Sequence, residues 1–94
     1  ATPGSACFDL VTTHNGVVNP DCIFDTGLAF AVPENHVMLV FSRSGHGFKD
    51  GVRLANCVGV IDSDYRGELK VKLTTDHNKK LFPVGERIAQ AMVI

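Results

Sequence analysis

Residues 56–67 read NCVGVIDSDYRG, a stretch that combines an apolar run with two carboxylates, an aromatic ring and an arginine. Its β-branched residues favour a strand. Asp62 and Asp64 are two positions apart, so in an extended chain they share one face and Tyr65 lies on the other. We therefore predict a strand that brings a carboxylate and a ring to one place, turns, and leaves as a second strand. The alternative is a plain hairpin with a charged, solvated turn.

Strand patterns separated by glycine and proline turns continue on both sides of this stretch. Residues 23–32 alternate, with Phe24 and Leu28 among those expected to face inward. The run at 37–41 is continuously apolar, which is typical of a strand buried on both faces. Many short strands joined by such turns predict an all-β domain, a small antiparallel barrel or sandwich. The predicted strands cover residues 7–13, 23–32, 37–41, 54–61, 68–73 and 87–94.

The composition limits the class of protein. A chain of 94 residues, 45% of them hydrophobic, predicts one globular domain with a small core. Its net charge of −1 argues against sequence-independent nucleic-acid binding, and no apolar run approaches the ~20 residues of a membrane span. The cysteines and histidines lack the spacing of a zinc site. We expect reduced thiols in a cytoplasmic protein, or in one of the nucleus or host cytoplasm if the source is viral. The loop-like start and the apolar end lead us to expect further residues on both sides.

Three further segments could contact a substrate. The tripeptide Arg43-Ser44-Gly45 offers a guanidinium, a hydroxyl and a free backbone N–H to phosphate oxygens, although most such tripeptides are plain surface loops. Asp9 alternates with apolar neighbours and could hold a magnesium-bound water, or simply form the polar side of an edge strand. Residues 85–90 read as a glycine turn into the last strand, with Gln90 on the face opposite Arg87.

Together and in this order, four segments of the chain resemble the motifs of the trimeric dUTPases, the deoxyuridine triphosphate nucleotidohydrolases. The third segment is highly specific, and the four span nearly the whole chain. Cys7 replaces the usual glycine of the first motif, and the family's fifth motif, a glycine-rich C-terminal arm, has no counterpart before Ile94. The four segments are SACFDL at residues 5–10, RSG at 43–45, GVIDSDYRGE at 59–68 and GERIAQ at 85–90.

The resemblance implies a fold and an assembly. The expected fold is a jelly-roll-like antiparallel β-barrel of the dUTPase type, formed by residues 1–94 as a single domain that lacks its N-terminal start and its C-terminal arm. The expected assembly is a homotrimer with active sites at subunit interfaces, where one subunit gives the first, second and fourth motifs and another gives the third. Oligomerisation would stabilise a domain with so small a core.

The resemblance also implies a reaction, the Mg²⁺-dependent hydrolysis of dUTP to dUMP and pyrophosphate, which limits uracil incorporation into DNA and supplies dUMP for thymidylate synthesis. Water attacks the α-phosphorus in line, and Asp62 is the expected base. Asp9 is expected to hold Mg²⁺ through a water. Arg66 is expected either to be structural or to balance Asp64. The expected phosphate ligands are Arg43, Ser44, Gly45 and Gln90.

Base and sugar recognition is expected from the hairpin of the third motif. Uracil offers two carbonyls and one N–H, a pattern that the backbone of Gly59, Val60 and Ile61 and the side-chain amide of Asn56 can match. A close backbone wall excludes the methyl group of thymine, and cytosine presents the wrong donors. The Tyr65 ring is expected to lie against the deoxyribose and exclude a 2′-hydroxyl, the alternative being an ordinary core tyrosine.

Two other functions stay open on sequence grounds. A dCTP deaminase would share the barrel, but it would need a different carboxylate arrangement, and the GVIDSDY run argues against it. A non-catalytic regulator that binds dUTP would keep most of the same residues, because binding and hydrolysis use a common pocket. For this chain we expect no direct binding to nucleic acid or to a membrane.

Overall fold

The computed structural model describes residues 7–43, 45 and 51–94, and strands dominate these ranges. Ser5 of the first motif and Ser44 of the second lie outside the described residues. Within the described ranges, no helix is long and apolar enough to cross a membrane. The strands are β1 Phe8–Val11, β2 Gly16–Val18, β3 Asp21–Asp25, β4 Met38–Phe41, β5 Val52–Leu54, β6 Val58–Ile61, β7 Lys70–Thr75, β8 Lys80–Phe82 and β9 Arg87–Val93.

The strand pairs of the described residues are all antiparallel, and they form three sheets. The four-stranded sheet has the order β1-β9-β4-β6, and the three-stranded sheet has the order β3-β7-β5. The third sheet is a ribbon of β2 and β8. The prediction of an all-β, antiparallel domain is therefore confirmed.

Residues from all three sheets share one apolar core. Phe24 of β3 and Phe82 of β8 are fully buried there, and their rings pack edge to face with centroids 5.5 Å apart. β7 shows the predicted alternation, with Val71 and Leu73 buried between exposed lysines. This alternation has the period of two that a strand with one buried face requires.

Two predicted strands differ from the observed ones. The alternation at 23–32 predicts one long strand, but β3 ends at Asp25, and Gly27 takes a left-handed φ of 70°. Leu28 therefore does not face the core as predicted and is 45% exposed. The apolar run at 37–41 does form β4, but its residues alternate between buried and half-buried. The prediction that this strand is buried on both faces is wrong for the single chain.

The region around the third motif differs most from the prediction. Residues 54–61 are not one strand, because Cys57, with a φ of 66°, separates β5 from β6, and these strands belong to different sheets. β6 pairs with β4, whereas β7 pairs with β3 and β5, so residues 62–69 connect two sheets. A hairpin needs two consecutive strands that pair with each other. The hairpin interpretation of the third motif is therefore wrong.

Candidate active site

Strand register brings residues of separate motifs into one row across the four-stranded sheet. Asp9 of β1 lies opposite Gln90 of β9, and Gln90 lies opposite Phe41 of β4. Directly opposed residues of antiparallel strands project from the same face of a sheet. Because Arg43 follows Phe41 by two residues, the first, second and fourth motifs meet at this end of the sheet.

Asp9 lies between two guanidinium groups, and we call Asp9, Arg43 and Arg87 the charged cluster. The Oδ1 atom of Asp9 is 3.4 Å from Nε of Arg43, and its Oδ2 atom is 3.7 Å from Nη1 of Arg87. The side chains of Asp9 and Arg43 are 28% and 22% exposed, so water screens their interaction less than it screens a pair on the open surface. Two cationic groups against one carboxylate leave this end of the sheet suited to anionic oxygens.

Arg87 was missed by the sequence prediction, which placed it on the face opposite Gln90. A β-bulge lies between these two residues: Ala89 pairs with Leu10, and Arg87 pairs with the next residue of β1. The bulge leaves one residue of β9 without a partner on β1 and so changes the alternation of faces along the strand. Arg87 thereby reaches the aspartate of the first motif, and the predicted opposition of faces is wrong.

Gln90 fixes the segment that leads to the phosphate loop. Its Nε2 donates a hydrogen bond of 2.9 Å to the carbonyl of Ser42, directly before Arg43. The hydroxyl of Ser42 in turn accepts a 2.9 Å hydrogen bond from the N–H of Leu54 on β5. The segment is therefore tied to two strands of different sheets. Ser42 was not among the predicted site residues, and its place between β4 and Arg43 is the sequence signal that could have found it.

The second motif is described in part. Gly45 is described and half-buried, whereas Ser44, which the sequence assigns to phosphate binding, lies outside the described residues. No described atom lies within 4 Å of the position that a Cβ atom would take at Gly45.

After β6 the chain turns, and this turn carries the predicted base. The N–H of Tyr65 donates to the carbonyl of Asp62 at 3.1 Å. Arg66 Nη1 donates to the carbonyls of Ser63 at 2.6 Å and Tyr65 at 3.1 Å. The extended conformation expected of Asp62 and Asp64 is therefore wrong. Arg66 braces the turn, which supports its structural interpretation, and the Asp62 residue is exposed to water.

The Tyr65 ring lies at the surface. Its residue is 44% exposed, and its hydroxyl donates a 3.0 Å hydrogen bond to the carbonyl of Glu68. The alternative interpretation, an ordinary core tyrosine, is therefore wrong. Nearly half of the residue is open to a ligand while the hydroxyl end is held by the backbone.

The predicted base-binding residues lie at the edge of the four-stranded sheet. Gly59, Val60 and Ile61 belong to β6, which is the last strand in the order and pairs with β4 on one side. An edge strand presents N–H and C=O groups that other molecules can pair with. Asn56 is exposed in the turn before β6, and its Nδ2 lies 3.8 Å from the position of a Cβ atom at Gly59.

One chain does not bring the predicted base, Asp62, to the charged cluster. Met38, the first residue of β4, lies opposite Ile61, the last residue of β6. Asp62 is therefore level with the residue before β4, whereas Arg43 lies beyond the other end of that strand. The roughly six residues between these two levels span about 20 Å at about 3.3 Å per residue. The predicted base and the predicted phosphate ligands of one subunit are thus far apart.

Comparison with known proteins points to one family. The dUTPase family model matches residues 1–94. A deoxyuridine 5'-triphosphate nucleotidohydrolase of Tropheryma whipplei (strain Twist) is 38% identical over 98 residues, which cover 100% of this chain and 67% of that protein. The protein of the same name from Dictyoglomus turgidum is 40% identical over 101 residues, which cover 100% of this chain and 69% of that protein. The crystal structure of dUTPase from Streptococcus mutans matches with a TM-score of 0.91 at 25% identity, covering 99% of this chain and 80% of that one.

Proposed function

This chain belongs to the dUTPase family, and on that basis we propose that it hydrolyses dUTP to dUMP and pyrophosphate. The family that four sequence motifs predict is confirmed by the comparisons. The observation that carries the proposal is the row across the four-stranded sheet, in which Asp9, Gln90 and the segment before Arg43 meet. Three motifs that are distant in sequence supply one charged surface, which suits a substrate with several phosphate groups.

We propose that the active unit is a homotrimer with active sites between subunits. A base must lie within hydrogen-bonding reach of the water that it activates, and that water must lie close to the reacting phosphorus. The separation of about 20 Å between Asp62 and Arg43 along one sheet is too large for this. A second subunit can bring its own Asp62 to the charged cluster of the first.

An apolar surface supports this assembly. On one face of the four-stranded sheet, Val58 and Val60 of β6 are exposed, and Leu39 of β4 and Met92 of β9, which lie in one row with Val60, are half-buried. Burial of such side chains against another subunit stabilises a complex by about 25 cal/mol per Å² of apolar area. We further propose that the three sheets, which share one core, correspond to the jelly-roll-like barrel of the family.

Phosphate binding would change the partner of Arg43. In the free chain this guanidinium faces the Asp9 carboxylate. A phosphate group offers more negative charge and accepts two parallel N–H bonds from one guanidinium, so it competes well for this arginine. Arg87 remains beside Asp9 and limits the cost of separating the pair. The hydroxyl of Ser44 and the N–H of Gly45 would complete the set of donors.

Asp62 of the neighbouring subunit is assigned to the attacking water. An exposed carboxylate on a turn can accept a proton from water, provided that its position is fixed. The two hydrogen bonds from Arg66 to backbone carbonyls supply that fixed position. The water then attacks the α-phosphorus in line, pyrophosphate leaves, and the arginines stabilise the charge that develops on the phosphate oxygens.

The edge of β6 is assigned to the uracil base. In an antiparallel edge strand, alternate residues turn their N–H and C=O groups away from the partner strand. Those groups of the segment Gly59, Val60 and Ile61 that point away from β4 can pair with the carbonyls and the N–H of uracil, and Asn56 adds its amide. Cytosine would leave some of these groups unpaired, which costs about 1–3 kcal/mol for each buried group. Tyr65 is assigned to the deoxyribose, where its ring would leave no room for a 2′-hydroxyl.

The residues of the charged cluster are compatible with Mg²⁺. Among the described residues, no group of three or more His, Cys, Asp or Glu side chains could hold a metal ion. Mg²⁺ does not need such a cage, because it usually keeps several waters and uses one or two carboxylates together with substrate phosphates. Asp9, beside the phosphate-binding arginine, is the residue that would hold the ion through a water. When bound, the ion neutralises charge on the phosphate oxygens.

The test is an assay of pyrophosphate release from dUTP, with UTP, dCTP and dTTP as comparison substrates. We expect turnover of dUTP to exceed that of the other three by several orders of magnitude, since each lacks or adds a group that the site reads. Binding of dUTP without pyrophosphate release would instead support a non-catalytic regulator. Release of ammonia from dCTP would support a deaminase. Either result would contradict the proposed function.

A further inference from the structure

Gly67 follows Tyr65 by two residues. A glycine is needed there because a neighbouring side chain leaves no room for a Cβ atom, and not because of the backbone conformation. Positive φ angles occur at Gly27, Gly51 and Gly85 but not at Gly67. A Cβ atom at position 67 would lie 2.5 Å from Oη and 2.7 Å from Cζ of Tyr65, closer than real Cβ contacts come. The tyrosine ring therefore occupies the volume that any side chain at position 67 would need.

The hydroxyl end of the same ring is bonded to a well-fixed acceptor. Tyr65 donates to the carbonyl of Glu68 at 3.0 Å. The next residue, Leu69, is buried, and its N–H donates to the carbonyl of Leu28 at 2.8 Å. The carbonyl of Leu69 accepts a 2.7 Å hydrogen bond from the hydroxyl of Thr26. Because the backbone beside the acceptor is tied at two points to the segment after β3, the acceptor cannot easily move with the ring.

We propose that Gly67 is a positioning residue for sugar discrimination. The missing side chain at position 67 lets the Tyr65 ring fold back over the turn until its hydroxyl reaches the Glu68 carbonyl, and these two constraints fix the ring surface that faces the deoxyribose. This inference rests on the proposed function. The Tyr65 ring excludes a 2′-hydroxyl only if it cannot move aside, because steric discrimination requires side chains with fixed positions. Gly67 acts through Tyr65 and does not itself touch the nucleotide.

The chain provides an optical probe of this contact that needs no activity. It contains one tyrosine and no tryptophan, so tyrosine fluorescence and near-ultraviolet circular dichroism above the phenylalanine bands report on Tyr65 alone. Gly67→Ala adds one methyl group at a position where the backbone itself tolerates alanine. We expect the displaced ring to be quenched more strongly by iodide and to lose dichroic intensity. An unchanged spectrum and an unchanged quenching constant would contradict the proposed contact.

The kinetic test compares dUTP with UTP. In Gly67→Ala, we expect the ratio of kcat/KM for dUTP to kcat/KM for UTP to fall about tenfold, through weaker use of dUTP and better use of UTP. In a Tyr65→Ala background, the same substitution should change the ratio by about twofold or less, because the residue through which it acts is gone. An equally large effect in both backgrounds would show that Gly67 does not act through Tyr65 and would overturn the proposal.

Gly16→Ala is the matched control for a glycine in tight contact. A Cβ atom at Gly16 of β2 would meet the buried Phe24 ring, and this glycine also lacks a positive φ. We expect this variant to be less stable while its dUTP to UTP ratio and its tyrosine quenching match those of the parent. If the parent itself does not prefer dUTP, the proposed function fails, and the quenching experiment still decides whether Gly67 fixes the ring.

Discussion

The solvent-exposed faces of the two larger sheets differ in the polarity of their side chains. On the three-stranded sheet, charged side chains of neighbouring strands pair, as Lys70 does with Asp25 at 2.6 Å and Lys72 with Asp21 at 4.0 Å. On the four-stranded sheet, the β6 edge exposes apolar side chains such as Val60, which is 61% exposed. A face with paired charges is stable when exposed to water. An apolar face beside an unpaired strand edge instead indicates that another molecule covers it.

This difference indicates where the chain depends on other molecules. The charged cluster lies on the four-stranded sheet, the proposed uracil contacts lie on its edge strand, and the proposed subunit contact involves the same strand. The three-stranded sheet contributes to the shared core, and the segment after its strand β3 fixes the backbone around Glu68 and Leu69. Substrate and neighbouring subunits are therefore both assigned to the four-stranded sheet, whereas the three-stranded sheet has a structural role.

The largest expected effect on turnover comes from variants of the two residues that we assign to different subunits of one active site. Arg43→Ala and Asp62→Asn should each lower dUTP turnover by about 10³-fold, since one loses a phosphate ligand and the other the base. If the two residues act from different subunits of a trimer, trimers refolded from an equal mixture of both variants should regain about one quarter of the parent's activity. Pyrophosphate release from the mixture measures this recovery.

Two controls define that experiment. The parent protein taken through the same unfolding and refolding shows how much activity the procedure itself removes. Asp76→Asn, at an exposed carboxylate directly after β7, should keep the parent's turnover within about twofold, as expected of a surface change away from the site. No recovery in the mixture, with a fully recovered parent, would place Arg43 and Asp62 of one subunit in the same site and contradict the interface model.

The second expected effect compares the two faces directly. Val60 of β6 and Ile23 of β3 are 61% and 58% exposed, so they are matched in exposure but lie on different sheets. Val60→Asp should dissociate the trimer, because a carboxylate buried without a partner costs several kcal/mol. Ile23→Asp should leave the trimer intact. Light scattering at a series of concentrations measures both, and equal behaviour of the two variants would remove the distinction between the faces.

The sequence predicted those features of the fold that depend only on residues close together in the chain. The alternation of β7 and the glycine turn before β9, where Gly85 has a φ of 87°, are properties of a few neighbouring residues. β3 was predicted too long because the apolar alternation continues past Gly27, where the backbone leaves the strand. Of the later apolar positions, Val32 is buried and Phe30 packs against the core, whereas Leu28 is exposed. Periodicity alone does not distinguish such an irregular segment from a strand.

The candidate site depends on register, which short patterns do not specify. The residues of the charged cluster and Gln90 were predicted from motifs, apart from Arg87, whose face is set by a β-bulge in the pairing of β1 and β9. Ser42 was missed because its role is to join β4 to β5, strands of different sheets. Tyr65 could not be assigned to core or surface from sequence, since its exposure depends on the sheet-to-sheet connection at 62–69.

Ser42→Ala tests the connection between the two larger sheets. The substitution removes the acceptor of the Leu54 N–H, and Leu54 is buried, so the free energy of unfolding should fall by about 1–3 kcal/mol. Urea unfolding measures the change. Ser63→Ala, which keeps the carbonyl that Arg66 contacts, is the matched control and should stay within about 0.5 kcal/mol of the parent. A similar loss in both variants would mean that the hydroxyl of Ser42 contributes nothing specific.

The smallest expected effect concerns the ion pairs on the three-stranded sheet. The hydrogen bond from Lys70 and its positive charge hold the pKa of Asp25 below its ordinary value of 3.8, and His14, whose Nε2 lies 3.5 Å from Oδ2 of Asp25, acts in the same direction. The hydrogen bond to Asp25 raises the pKa of Lys70 above 10.5, and Glu68, 3.6 Å from the ammonium group, adds to this. Both partners are exposed, so the stabilisation is small and weakens with salt.

The sign of each shift fixes the pH range of this stabilisation. The lowered pKa of Asp25 contributes stability above pH 3.8, which is lost as the pH falls through the pKa of the folded state. The raised pKa of Lys70 contributes stability below pH 10.5, which is lost as the pH rises through the pKa of the folded state. The difference in unfolding free energy between the parent and Asp25→Asn should therefore be nearly constant from about pH 5 to about pH 9 and shrink beyond both limits. In a Lys70→Met background the difference should largely disappear, and a difference that persists there would assign the effect to His14 instead of the lysine.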